Sequence, residues 1–233
     1  MNFKELLLED FNINLTKEME EQFSQYFAFL VEFNSHTNLT SITDEEGVYI
    51  KHFYDSISLC KGYDFTKAIN LCDIGAGAGF PSIPLKIVFP HIKVTIIDSL
   101  QKRTVFLREL IVRLGLKDVN IIHSRAEEYA VMHREEFDVV TARAVARLNI
   151  LSELCLPLVS VGGYFISPKA ASSDEELKEA MNAIATLGGK LEEDVTFRLP
   201  LEESVRHLLV INKIKETNKK YPRSFAKMKK NPL

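Results

Sequence analysis

"LCDIGAGAGF", residues 71–80, is a short apolar run that ends on Asp73 and then opens into Gly75, Gly77 and Gly79 at alternate positions. Glycine has no Cβ, so the backbone there can turn sharply and lie against a ligand that any side chain would hold away. Taken as a strand followed by a glycine-rich turn, the stretch predicts a binding loop at the carboxyl edge of a sheet.

The residues on either side supply the rest of that sheet. From Lys67 onward, the apolar runs "AINLCDI", "KVTIID", "VNIIH", "FDVVTA" and "YFISP" alternate with "SIPLKIVFP", "QKRTVFLRELIVRLG", "LNILSELCLPLV" and "SSDEELKEAMNAIATLG", which have helical spacing. Strands separated by helices argue for a parallel sheet with both faces covered. "LEEDVTFRLP" and "RHLLVINKI" have no strong helix between them and predict an antiparallel pair at the end. The expected fold is therefore α/β: a doubly wound, mostly parallel, Rossmann-like sheet of about seven strands. Upstream, Met19, Phe23, Tyr26, Phe27, Leu30 and Phe33 recur at steps of three and four behind Thr16, a natural N-cap, so "TKEMEEQFSQYFAFLVEFN" reads as an amphipathic helix. "VYIKHFYDSISLC" has helical spacing again. Three parts are expected: an N-terminal helical extension over 1–66 packed on the core, the sheet domain over 67–215, and a basic tail over 216–233.

Composition narrows the function classes. At 233 residues and 46% hydrophobic content, the chain can bury one sizeable core. The net charge of −3 does not mark a nucleic-acid binder, but its distribution is uneven. Between Asn212 and Leu233 lie eight basic residues against one acid, Glu216, whereas the first long helix carries Glu18, Glu20, Glu21 and Glu32. A basic end on an acidic body suggests a polyanionic partner, and the alternative is a merely solvated tail. Cys60, Cys72 and Cys155 are too few and too scattered for a disulfide framework or a zinc site, so no metal is expected and a reducing compartment is. No apolar run approaches the ~20 residues of a membrane span, and "MNFKELLLED" lacks a signal peptide's apolar region. A cytoplasmic, monomeric protein is expected, with no membrane partner.

Two cofactor classes compete for the glycine loop. Dinucleotide sites favour G-x-G-x-x-G, whose third glycine opens a helix under the pyrophosphate. Here the spacing is G-x-G-x-G, Phe80 stands in the place of that third glycine, and the prolines of "FPSIP" remove backbone donors. S-adenosylmethionine has no phosphate to cradle. It needs close backbone approach at its amino-acid end and a partner for its ribose hydroxyls. Asp98, which ends "KVTIID", can accept both hydroxyls, and Asp73 is expected to meet the ammonium group. An NAD-dependent oxidoreductase is the rival enzyme, disfavoured by Phe80 and by the lack of a clear hydride-transfer constellation. A non-catalytic RNA-binding or assembly protein on the same scaffold is the other alternative.

Beyond the cofactor loop, "DIGAGAGFPSIPLKIVFP", "VTIIDSLQKRTVFLREL", "RAEE", "FDVVTARAVA", "YPR" and a terminal "PL" follow one another in an order and spacing that resembles the glucose-inhibited division protein B family. The similarity runs from about Phe33 to Leu233. It implies a bacterial methyltransferase that uses S-adenosylmethionine to methylate N7 of one guanosine in the 530 loop of 16S ribosomal RNA, as free RNA or in the small subunit. It further implies that Gly75 and Phe80 lie on the cofactor, as the loop reading expects of Gly77 and Gly79 too, with Ala126 and Glu127 of "RAEE" near its adenine and Arg143 beside it. Ser82 stands where the family usually has glycine, Phe33 where a "WN" pair usually begins, and Ala170 where "KG" is usual; the tail lacks the usual glycine and proline between "PR" and "PL".

The residue types agree with that chemistry. Guanine N7 carries a free lone pair at neutral pH, so no catalytic general base is expected and the work is positioning. The fourth strand ends in "TARAVAR", without the Asn/Asp-Pro-Pro-aromatic signature expected for an exocyclic amine. Carbon methylation would need a thiolate, but Cys72 and Cys155 lie in apolar runs and read as core. Lys102 and Arg103 follow Asp98, Arg147 follows the fourth strand and Lys169 the fifth, so these four, with Arg223 of the tail, are the candidate RNA contacts. The tail is expected to act on RNA and to leave cofactor affinity alone. His52 and Asp55 of "KHFYDS" read either as a substrate contact or as a helix surface packed on the sheet; His123 and Glu128 read as structural, and Arg125 as paired with a neighbour.

Overall fold

A computed structural model describes residues 2–170, 173–202 and 204–233. Helix α1 (Phe3–Phe11) is closed at its start by a capping box: the Asn2 side chain accepts from the Glu5 N–H, and Glu5 accepts in return from the Asn2 N–H. The sequence reading did not include this helix. Helix α2 (Lys17–Thr37) begins as expected, with Thr16 Oγ1 accepting from the Met19 N–H at 3.2 Å. Its buried face is Phe23, Tyr26, Phe29 and Leu30, while Met19, Phe27 and Phe33 are half-buried. Phe29, absent from the expected stripe, stacks on Phe106 with ring centroids 5.1 Å apart. Burying each of these large side chains contributes about 1.5–3 kcal/mol.

The next helical stretch is irregular. Short α3 (Glu45–Val48) runs into a π-helical turn over Tyr49–Tyr54, then α4 (Asp55–Ile57) and a 3₁₀ turn over Ser58–Lys61. After it come β1 (Asn70–Ile74), α5 (Ser82–Val88), β2 (Lys93–Asp98), α6 (Gln101–Arg113), β3 (Val119–His123), α7 (Ala126–Met132), β4 (Phe137–Thr141), α8 (Leu148–Cys155), β5 (Val159–Ala170), α9 (Ser173–Thr186), β6 (Gly189–Arg198), β7 (Val205–Lys213) and α10 (Phe225–Lys230). Ser172, with which the expected α9 segment began, lies outside the described residues. Helix α7 was not anticipated: "RAEE" was read as a motif without an element.

All seven expected strands form, in the order β3-β2-β1-β4-β5-β7-β6. Strands β1 to β5 are parallel, and β7 is inserted antiparallel between β5 and β6. Strand order reverses where β1 lies beside β4, and a doubly wound sheet opens a crevice at such a point, beyond the strands' carboxyl ends. Two apolar clusters cover the faces. One joins α1, α2, α5 and α6 through Leu7, Phe23, Leu30, Ile83 and Phe106; the other joins α7 to α10 through Ala130, Leu151, Ile184 and Met228.

The C-terminal segment is docked, which corrects the solvated-tail alternative. Tyr221 and Met228 are buried, and Arg134 donates to the carbonyls of Thr217 (2.7 Å) and Tyr221 (2.6 Å). Lys213, one of the eight basic residues, is wholly buried: its ammonium donates to Leu156 O and Thr217 Oγ1, both at 2.5 Å, and lies 3.2 Å from Glu135. Among the described residues no helix is long and apolar enough to cross a membrane.

Candidate active site

The crevice at the β1–β4 switch point is a cavity of about 410 Å³, within the ~300–1,000 Å³ typical of small-molecule sites. Its floor is the loop after β1, from Gly75 to Ala78, with Phe80. Asp98 and Ser99 after β2, Ser124 to Glu127 after β3, and Arg143 to Val145 after β4 form the sides. Each segment follows a different parallel strand, so the sheet brings the expected cofactor residues to one place.

The glycines have different jobs. Gly77 has a φ of +61°, borders the cavity and has open space where a Cβ would stand. Its N–H donates to Asp98 Oδ2 at 3.3 Å. Gly79, at φ +98°, does not line the cavity; a Cβ there would come within 2.6 Å of the Tyr26 hydroxyl, which itself donates to Ala78 O. Its freedom serves the docking of α2 beneath the loop. Gly75 borders the cavity as expected.

Asp73 corrects the expectation more sharply. It is wholly buried and absent from the cavity wall, with Oδ2 accepting the Ser82 N–H at 3.1 Å and Oδ1 unpartnered. The side chain points under the loop to the start of α5, out of reach of a ligand's ammonium. Burial pushes its carboxyl from 3.8 up to about 7, against the lowering effect of the Ser82 hydrogen bonds.

Asp98 is buried to 3% exposure yet borders the cavity. Leu100 N–H fixes Oδ1 at 2.9 Å, while Oδ2 has only the long contacts to Gly77 N and to Arg103 Nη1, at 3.4 Å. An oriented carboxylate with such loosely held acceptor capacity suits a pair of vicinal hydroxyls. Arg103, expected on RNA, is therefore a neighbour of the cofactor cavity. Ala126 and Glu127 open α7 and, with its N-cap Arg125, which supplies no side-chain cap, line the cavity edge. Arg125 lies 3.8 Å from Glu127.

The opposite side is a buried polar cluster. Arg143 donates to Asp55 Oδ2 at 3.0 Å, and Arg206, at the start of β7, donates to Asp55 Oδ1 at 3.2 Å. His52 stacks on Phe80 with centroids 4.5 Å apart, meets Thr40 Oγ1 at 2.9 Å and borders the cavity. Burial, with Arg143 nearby, lowers its pKa from 6.5 to about 4, so the ring is neutral at pH 7. Of the two readings of "KHFYDS", His52 takes the site reading and Asp55 a supporting one. Thr40, Arg206, Leu154 and Phe225 were missed; a lone threonine, a strand arginine and two apolar residues give no signal by type or spacing.

The remaining cations are placed unevenly. Arg147 pairs with Glu179 at 2.5 Å and Lys169 with Glu176 at 2.7 Å, beside a second cleft that shares Ala144 and Val145 with the cofactor cavity. Lys102 donates to Thr37 O, at the end of α2, at 2.9 Å. Arg223, expected on RNA, closes with its backbone N–H and guanidinium on Glu153, 1% exposed, at 2.6–3.2 Å, so this charge docks the tail. Cys72 and Cys155 are buried with thiols pushed well above 9, and burial raises Cys60 to about 12, so none offers a thiolate. His123 bonds Ser99 O at 3.1 Å. Among the described residues no three His, Cys, Asp or Glu side chains are grouped to hold a metal ion.

Known proteins share this fold. A structure described as a SAM-dependent methyltransferase from Aquifex aeolicus superposes with a TM-score of 0.56 at 18% identity, over 75% of this chain and 97% of that one, which establishes the methyltransferase type of fold. The protein named ribosomal RNA small subunit methyltransferase G of Lysinibacillus sphaericus is 56% identical over 223 residues, covering 95% of this chain and 94% of its own. Its namesake in Geobacillus thermodenitrificans is 54% identical over 229 residues, 97% and 96% of the two chains. The profile of the GidB family, described as rRNA small subunit methyltransferase G, matches residues 19–208, and the chain belongs to that family.

Proposed function

We propose that this chain transfers a methyl group from S-adenosylmethionine to N7 of a guanosine in the 530 loop of 16S ribosomal RNA, acting as a cytoplasmic monomer without a metal. The observation that carries the reading is the oriented Asp98 carboxylate facing the Gly75–Ala78 loop across one cavity, in a member of this family. The cavity's residues fit the cofactor: a backbone cradle, an acceptor for ribose hydroxyls, and an apolar side beside Ala126. When bound, S-adenosylmethionine supplies an electrophilic sulfonium methyl.

In this reading Asp98, Gly75, Gly77, Phe80, Ala126 and Glu127 hold the cofactor, and Arg143 closes the methyl side. Asp55 and Arg206 hold Arg143 against Phe80, whose ring centroid is 5.0 Å from the guanidinium carbon. The target base enters from the cleft past Ala144 and Val145, because those two residues line both that cleft and the cofactor cavity. Arg147 and Lys169 line this cleft, Arg103 borders the cofactor cavity and Lys102 stands beside the end of α2, and these four serve the RNA backbone. Asp73 is shut off from the cavity, and the lowered pKa of His52 makes its neutral ring a weak base. N7 has no proton to lose, and no base is needed. Fixing the reactants in line can lower the barrier by up to ~7–11 kcal/mol.

The test is single-turnover transfer of labelled methyl to 16S RNA and to small ribosomal subunits, followed by nucleoside mass spectrometry. The expected product is 7-methylguanosine, formed at a rate that shows no essential base ionising between about pH 6 and 8. Methyl on an exocyclic amine, a ribose hydroxyl or a pyrimidine carbon refutes the assignment.

A further inference from the structure

We propose that Phe225, carried on the docked C-terminal segment, is a cofactor-contacting residue that covers the adenine end of the cavity; this rests on the S-adenosylmethionine reading above. The cavity lies between the two core clusters. On the glycine-loop side its wall is Ala76, Ala78 and Phe80; on the other it is Ile97, Ala126, Leu154 and Phe225. That second side is apolar and opens beside Ser124 to Glu127, and the flat purine is the part of the cofactor that suits it. Phe80 cannot serve there, because its ring is already stacked on Tyr26 and His52. Phe225 is the aromatic side chain on the far wall.

The segment is built to hold that ring in place. Two residues before it, Arg223 closes on the buried Glu153 of α8, the helix that also supplies Leu154. Three residues after it, Met228 is wholly buried, and Tyr221 is anchored by Arg134. Phe225 stands between these anchors yet stays half-buried, with a face left for the cavity. A mere surface arm would have no reason to place an aromatic ring there. Lys227, Lys229 and Lys230 are exposed, and the Lys229 ammonium lies over the Phe225 ring at 5.9 Å from its centroid, so one cation of the same short helix helps to hold the ring.

The experiment is calorimetric titration of the full chain with S-adenosylmethionine and with S-adenosylhomocysteine, comparing wild type, Phe225→Ala and Phe225→Tyr. Phe225→Ala should weaken both ligands by the same factor, about tenfold, because the adenosine is common to them, while Phe225→Tyr keeps near wild-type affinity. The ring is half-exposed, so the variant is expected to fold; its unfolding midpoint without ligand is the control. Affinity within twofold of wild type in a folded Phe225→Ala protein overturns the assignment and leaves the segment as an RNA-facing arm. A wild-type chain that binds neither ligand overturns the functional reading and this inference together, so the two failures are distinguishable.

Discussion

Asp73 offers a test of the site's electrostatics that needs neither cofactor nor RNA. Folded, its carboxyl keeps a proton up to about pH 7; unfolded, it releases it near 3.8. Between those values the folded state binds more protons, so this group's contribution to stability falls as pH rises, from no cost below 3.8 to its full cost above 7. A displacement from 3.8 to about 7 corresponds to about 4 kcal/mol at full ionisation. His52 runs the other way: its proton leaves near pH 4 in the folded state and near 6.5 in the unfolded, so its contribution rises with pH across that window. The wild-type curve mixes the two, and a difference against Asp73→Asn isolates the first. Urea unfolding of both proteins without ligand, at intervals from pH 5 to 8, should show the variant gaining about 2–3 kcal/mol on wild type over that range. A difference that stays constant within about 0.5 kcal/mol would mean that Asp73 is ionised throughout, and the buried, uncharged side chain described above would be wrong.

Two further substitutions follow from the geometry. Asp98→Ala should weaken S-adenosylmethionine binding by roughly 1.5–3 kcal/mol, ten- to a hundred-fold, with the secondary structure intact; unchanged affinity by calorimetry sinks the ribose assignment. Asp55→Asn leaves Arg143 and Arg206 facing each other around a neutral amide and should destabilise the fold by about 2–3 kcal/mol; a urea midpoint within error of wild type would show the pair to be solvated and idle.

The sheet was legible because its evidence is local. Each strand is a short apolar run bounded by turns, and the alternation with helices repeats often enough to impose the parallel order. The N-cap at Thr16 is equally local, since Thr16 and Met19 are three residues apart. Helix α7 was not legible in the same way: seven residues from Ala126 to Met132 give only two turns, too short for an apolar stripe to declare itself. Asp73 was misread because chain position says that a carboxylate ends the strand but not on which side of the loop it points. Register decides that: Asp73 pairs with Ile96, so Asp98 stands two residues nearer the carboxyl edge on the same face and reaches the cavity, while Asp73 stays beneath the loop.

The surroundings of the basic residues were not legible for a single reason, which is that a cation's partners are acids that are near it only in the folded chain. Arg223 meets Glu153 across 70 residues of sequence, Arg143 meets Asp55 across 88, and Arg206 meets the same Asp55 across 151. No window on the sequence contains either member's fate. The same long-range pairs explain why the N-terminal helices belong to the site. Asp55 fixes the arginine that closes one side of the cavity, and Tyr26 holds the glycine loop through Ala78. Gln22 ties α2 to the end of α6 through Leu114 O at 2.8 Å. The N-terminal helices are thus the scaffold against which Phe80 stacks, through Tyr26 and His52, and the glycine loop owes its shape to α2 beneath it as much as to its own residues.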